Sequence, residues 1–142
     1  MSEDLLRRIA DALERLAPPR GEPADLSAHP AYHWDGRTLA AVTTFVPLPA
    51  SLIVGVDRQK DAIVENSRRH AQGHAAHDVL LWGARGMGKS ALVKSVTAAL
   101  QAQSLLLALV ETTAGQLVSL PHLFALLGKC ERRFILFIDD MA

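Results

Sequence analysis

The sequence is poor in three things, and each shortage excludes something. It has one cysteine, Cys130, in 142 residues, so no internal disulfide braces the chain and a reducing, cytoplasmic setting is expected. It has no excess charge: 15 basic and 15 acidic residues give a formal net charge of zero. Bulk electrostatic attraction to nucleic acid or to an anionic membrane is thereby set aside, although a local basic face is not. It has no long apolar run. SLLLALV and RFILFI fall far short of the roughly 20 residues that cross a bilayer as a helix, so both read as strands buried on two faces. The opening MSEDLLRRIADALERL carries acids and arginines where a secretory signal has an apolar block.

What is present divides the chain into four stretches: residues 1–17, 18–31, 32–77 and 78–142. In the first, Leu6, Ile9, Leu13 and Leu16 recur at spacings of three and four behind Ser2, Glu3 and Asp4, the pattern of an amphipathic helix with a capped, acidic start. That helix either docks on its own domain or pairs with another subunit. PPRGEPADLSAHP is too rich in proline for a regular ladder and reads as a linker. In AYHWDGRTLAAV, Asp35-Gly36 is expected to supply the positive-φ residues of a two-residue hairpin turn between Trp34 and Thr38. A helix is predicted from Asp57, as cap, to His70, stopped by Gly73. Val56, Ile63 and Val64 would face inward and Arg58, Lys60, Glu65, Arg68 and Arg69 outward.

From Asp78 the pattern becomes strand, glycine turn, helix, strand, helix, strand, which predicts an α/β fold with a parallel sheet covered on both sides. The turn is the most specific signal. Gly83, four residues, then Gly88-Lys89-Ser90 satisfies the P-loop pattern, after an apolar strand at residues 78–82 and before a helix with Leu92, Val96 and Leu100 on one face. Glycines 83, 86 and 88 would let successive N–H groups of Gly83, Ala84, Arg85, Gly86, Met87, Gly88 and Ala91's turn point at a phosphate, with the positive end of the helix behind them. Lys89 would reach the outer phosphates, and Ser90 Oγ would ligate magnesium, a hard ion that prefers oxygen.

A second strand is expected at residues 104–110, leaving Glu111 and Thr112 at its carboxyl end. A short helix would follow, capped by Ser119, with Pro121 in its first turn, Leu120, Leu123, Phe124 and Leu127 buried, and Gly128 at its end. The third strand, residues 134–138, runs into Asp139 and Asp140. Parallel sheets bind ligands at the carboxyl ends of their strands, so this acid pair and the glycine loop can share one site. Asp139 would hold magnesium and Asp140 would orient an attacking water. Two other groups are weaker. His70, His74 and His77 have ligand-like spacing, but Gly73 interrupts them and no acid or cysteine completes the set. Cys130 has basic neighbours but no histidine near it in sequence.

With GVDRQKDAIVENSRR, VLLWGARGMGKSALVK and RFILFIDD in view, the chain resembles P-loop ATPases of the AAA+ class. More closely, it resembles a bacterial group of ATP-binding proteins, domain-of-unknown-function family 815. The resemblance implies a P-loop NTPase sheet with three core strands present, an amino-terminal helical and hairpin extension, and ATP and magnesium as cofactors. It also implies an adenine pocket lined by Val54, Gly55 and Val56. Further strands, a sensor residue, a lid and an arginine finger, all implied by the class, have no residues here, so the chain is expected to be truncated after the acid pair. In that class a later strand sits between the P-loop strand and the acid-pair strand, and without it the two would not be neighbours. The leading expectation is magnesium-dependent ATP binding, with hydrolysis weakened because Asp140 stands where many relatives carry glutamate. The alternatives are an interaction fragment working through the amino-terminal helix and a P-loop kinase acting on a small molecule.

Overall fold

The computed structural model describes residues 2–16, 24–82, 88–139 and 141. Along the chain come α1 (Glu3–Leu16), β1 (Ala31–Trp34), β2 (Leu39–Ala41), a 3₁₀ turn at Ala50–Leu52, α2 (Asp57–Ala71), α3 (Lys89–Ala102), β3 (Leu107–Thr113), a second 3₁₀ turn at Ala114–Ser119, α4 (Leu120–Leu127) and β4 (Arg133–Asp139). The class is α/β, with a four-stranded mixed sheet in the order β2-β1-β3-β4.

β3 is the spine. It runs parallel to β1, with Ala31 beside Leu109, and parallel to β4, with Leu107 beside Arg133 and Thr113 beside Asp139. Its side chains alternate between two fully buried faces. Ala108 and Val110 pack with Tyr32, Trp34, Leu39 and Leu123 on the α4 side. Leu107 and Leu109 pack with Ile63, Leu92, Val93, Val96 and Leu100 on the α2 and α3 side. A strand covered on both faces requires a continuous apolar run rather than an alternating one, which is why LLLALV was legible. Its start lies three residues beyond the expected Ser104. That residue takes a left-handed φ of 61° and ends α3 in a turn, its N–H bonding Gln101 O at 3.0 Å. The strand consequently reaches Thr113, and Glu111 lies within it rather than beyond its end.

The hairpin belongs to the same sheet, since β1 pairs antiparallel with β2 on one side and parallel with β3 on the other. Its turn differs from the expected one. Gly36 has φ 98°, but no positive φ occurs at Asp35. The aspartate works through its side chain, Oδ1 accepting the N–H of Arg37 at 2.8 Å and of Thr38 at 2.7 Å, an Asx-type closure of a longer loop.

Residues 78–82, expected as the strand before the glycine loop, are not a strand. Leu81 packs inward near Ile135, while Val79, Leu80 and Trp82 are 52%, 76% and 89% exposed. An extended apolar run becomes a strand only where a neighbour completes its ladder. Here the preceding backbone is held by α2 instead: the Asn66 side chain exchanges two hydrogen bonds with His77, at 2.7 and 2.9 Å, and Arg69 Nε donates to Ala75 O. Among the described residues no strand pairs with the outer edge of β4.

The helices show smaller differences. Val56, not Asp57, is the N-cap of α2. Ser119 does not cap α4 with its side chain; its Oγ accepts the Trp34 indole N–H at 2.8 Å and donates to Gln116 O. On α4 only Leu123 is fully buried, and Phe124 is 53% exposed. α1 starts as expected, the N–H of Leu5 donating to Ser2 Oγ. It does not dock on its own domain, because every residue from Ser2 to Leu16 is exposed.

Candidate functional site

The direction of α3 locates the site. Near its start, Lys94 Nζ lies 3.4 Å from Glu111 Oε1, toward the carboxyl end of β3. Near its end, Gln101 Nε2 donates to Leu107 O and Pro30 O, both at 2.9 Å, at the amino end of β3 and β1. α3 therefore runs antiparallel to the strands, and its first turn belongs to the edge where β3 ends in Thr113 and β4 in Asp139.

The helix opens on a glycine. Gly88 is the N-cap, in the left-handed region at φ 82°, with no side-chain cap. A methyl group there would meet nothing within 4 Å, so backbone conformation, not crowding, is what calls for glycine. The amides of Lys89, Ser90 and Ala91 precede the first intrahelical bond, Leu92 N–H to Gly88 O at 2.9 Å. They carry the positive end of the helix dipole. Ser90 and Lys89 are half-buried and Asp139 is exposed; neither Lys89 nor Asp139 is without a partner. Gly83, Ala84, Arg85, Gly86, Met87 and Asp140 lie outside the described residues.

The other predicted residues fall nearby or elsewhere. Val54 is 79% exposed and Val56 half-buried at the entrance to α2, with Gly55 between them at φ 82°. Lys60, expected on the solvated face, turns back. Its Nζ donates to Ala50 O at 3.2 Å and Ile53 O at 3.3 Å and lies 3.7 Å from Asp57, so it ties α2 to the loop that carries Val54–Val56. Nothing in the sequence distinguished it from its solvated neighbours, since its partners are backbone carbonyls. Lys94 was also missed, although its place five residues beyond Lys89 on the same helix was a usable signal. Glu111, expected just past the carboxyl end of the strand, is the partner of Lys94.

Of the three histidines, His70 meets a strand edge through its side chain. His70 Nε2 is 2.8 Å from Phe134 O. Arg133 N–H bonds toward β3, so in a parallel ladder Phe134 directs its carbonyl to the outer edge of β4, and His70 covers it. Among the described residues no three His, Cys, Asp or Glu side chains gather as a metal group. A magnesium ion would take Ser90 Oγ and the Asp139 carboxylate, both hard oxygen donors. Among the described residues no helix is long and apolar enough to cross a membrane.

These features define an α/β sheet protein whose candidate site, a helix amino terminus at the sheet edge where β4 ends in Asp139, lies at the carboxyl ends of parallel strands. Residues 27–142 match the family described as protein of unknown function (DUF815), and the chain belongs to that family. α1 precedes the matched stretch. No curated protein and no solved structure matches the chain.

Proposed function

We propose that the chain binds an adenine nucleotide together with magnesium, through a P-loop site of the AAA+ kind. The observation that carries the reading is the start of α3. Within GARGMGKS, a left-handed Gly88 opens an uncapped helix at the sheet edge where β4 ends in Asp139.

Each residue has a task suited to its chemistry. The backbone amides from Gly83 to Ala91 receive phosphate oxygens, favoured by the helix dipole. Lys89 supplies a point charge to the outer phosphates. Ser90 and Asp139 hold magnesium, which neutralises phosphate charge when bound. Val54, Gly55 and Val56 line the base side, and Lys60 fixes their loop against α2. Asp140 orients a water for hydrolysis; with aspartate in place of the longer glutamate, binding rather than turnover is the activity proposed.

Titrating the chain with a fluorescent ATP analogue, with and without magnesium, tests this. Saturable binding strengthened by magnesium is expected, with a loss of about tenfold or more in Lys89→Ala, the size of one charge-assisted phosphate contact. Absence of binding by the wild type, or equal binding by the variant, contradicts the reading.

A further inference from the structure

Lys94 and Glu111 join two layers of the fold. Lys94 Nζ on α3 lies 3.4 Å from Glu111 Oε1 on β3, with 37% and 23% of the two side chains exposed, so water screens the pair only in part. Glu111 continues the series Leu107 and Leu109, which packs against α2 and α3, because alternate residues of a strand share a face. Its register partner on β4 is Phe137, which packs on that same face with Val93 and Leu109.

Equal steps along the two elements connect this pair to the candidate site. Ser90 precedes Lys94 by four residues, so it shares that helix face about 6 Å nearer the amino end of α3. Thr113 follows Glu111 by two residues and shares its strand face about 6.6 Å nearer the carboxyl end of β3. Because α3 runs against β3, both steps lead the same way in space. They bring Ser90 to the level of Thr113, whose register partner is Asp139.

What holds α3 at that height matters, because apolar packing by Val93, Val96 and Leu100 is non-directional and does not fix a helix along its own axis. Polar links do. Gln101 supplies one to Leu107 O and Pro30 O, but it stands eleven residues from Ser90. The Lys94–Glu111 link lies one turn from Ser90.

We propose that Lys94 and Glu111 are positioning residues for magnesium: they set the height of the first turns of α3 on the sheet so that Ser90 Oγ and the Asp139 carboxylate meet one ion. This rests on the nucleotide reading above. The two residues work as a unit, so losing either disturbs the same alignment. A purely through-space effect of charge has the opposite signature, since loss of Lys94 would strengthen cation binding and loss of Glu111 would weaken it.

The gain in affinity for a fluorescent ATP analogue on adding magnesium, measured with the full chain, separates these cases. It is expected to fall about threefold to fivefold in Lys94→Met and equally in Glu111→Gln, the range of a partly exposed ion pair. It should fall no further when the two are combined, and should be kept in Lys94→Arg. Affinity without magnesium should stay within about twofold, because the amides and Lys89 meet phosphate without the ion. Without nucleotide, amide hydrogen exchange at residues 92–94 should quicken about threefold to fivefold in both single variants, and exchange at residues 96–100 should not change. Opposite shifts of the magnesium gain in the two variants, additive losses, or unchanged exchange at residues 92–94 would overturn the proposal. Nucleotide binding whose magnesium gain survives both substitutions overturns the role of the pair alone, whereas a wild type that binds no nucleotide overturns the proposed function and the role of the pair together.

Discussion

Asp35 shows at the scale of one residue how a correct identification can rest on a wrong mechanism. The sequence marked Asp35-Gly36 as a turn, and a turn is there, but only Gly36 takes the positive φ. The aspartate acts as an acceptor. The N–H of Thr38, then that of Arg37, hold its carboxyl below the ordinary carboxylate range, against a small opposing effect of desolvation; the Thr38 hydroxyl and His33 add to the lowering. Its folded pKa being depressed, its contribution to stability is complete above the unfolded value of about 3.9 and is lost as the pH falls through the folded value. Asp35→Asn has no such titration. The stability difference between wild type and variant should therefore be largest near neutrality and shrink below about pH 4, as read by thermal unfolding at pH 7 and at pH 3. A difference that stays constant would remove the carboxylate from the account.

Among the elements, α1 and α3 present the same kind of periodic stripe in the sequence, and opposite surroundings in the structure. Leu100 on α3 is fully buried and Leu13 on α1 is 60% exposed. Leu100→Ala should cost about 2–5 kcal/mol, because it removes buried methyls and leaves a cavity. Leu13→Ala should change stability by less than about 0.5 kcal/mol. Urea unfolding measures both; similar losses would mean that α1 packs on the body. Periodicity reports which face of a helix is apolar and leaves open what covers it, which is why the sequence left docking on the domain and pairing with another subunit both open for α1, and docking is not found. The converse failure lies at residues 78–82. DVLLW has the composition of a core strand, but strand formation depends on a partner elsewhere in the chain, and the backbone leading into it is held by Asn66 and Arg69. α3, β3 and β4 were legible because a glycine motif, a capless helix start and two continuous apolar runs are local signals.

For the molecule as a whole, the sheet order β2-β1-β3-β4 brings together what the sequence separates by about 50 residues. The start of α3 and the end of β4 share one edge because β3 and β4 run parallel and α3 runs antiparallel to them. The hairpin's place beside β3 carried no sequence signal, since a four-residue strand does not announce its partner. The central claim is that this edge receives the phosphates of a magnesium nucleotide. Amide chemical-shift mapping of the ¹⁵N-labelled chain during titration with ATP and magnesium tests it most directly. The account predicts saturable shifts concentrated at Gly88, Lys89, Ser90, Ala91 and Asp139, with smaller ones at Val54–Val56. No shifts there, or shifts confined to another surface such as the cleft between Leu105, Cys130 and Arg132, would contradict it.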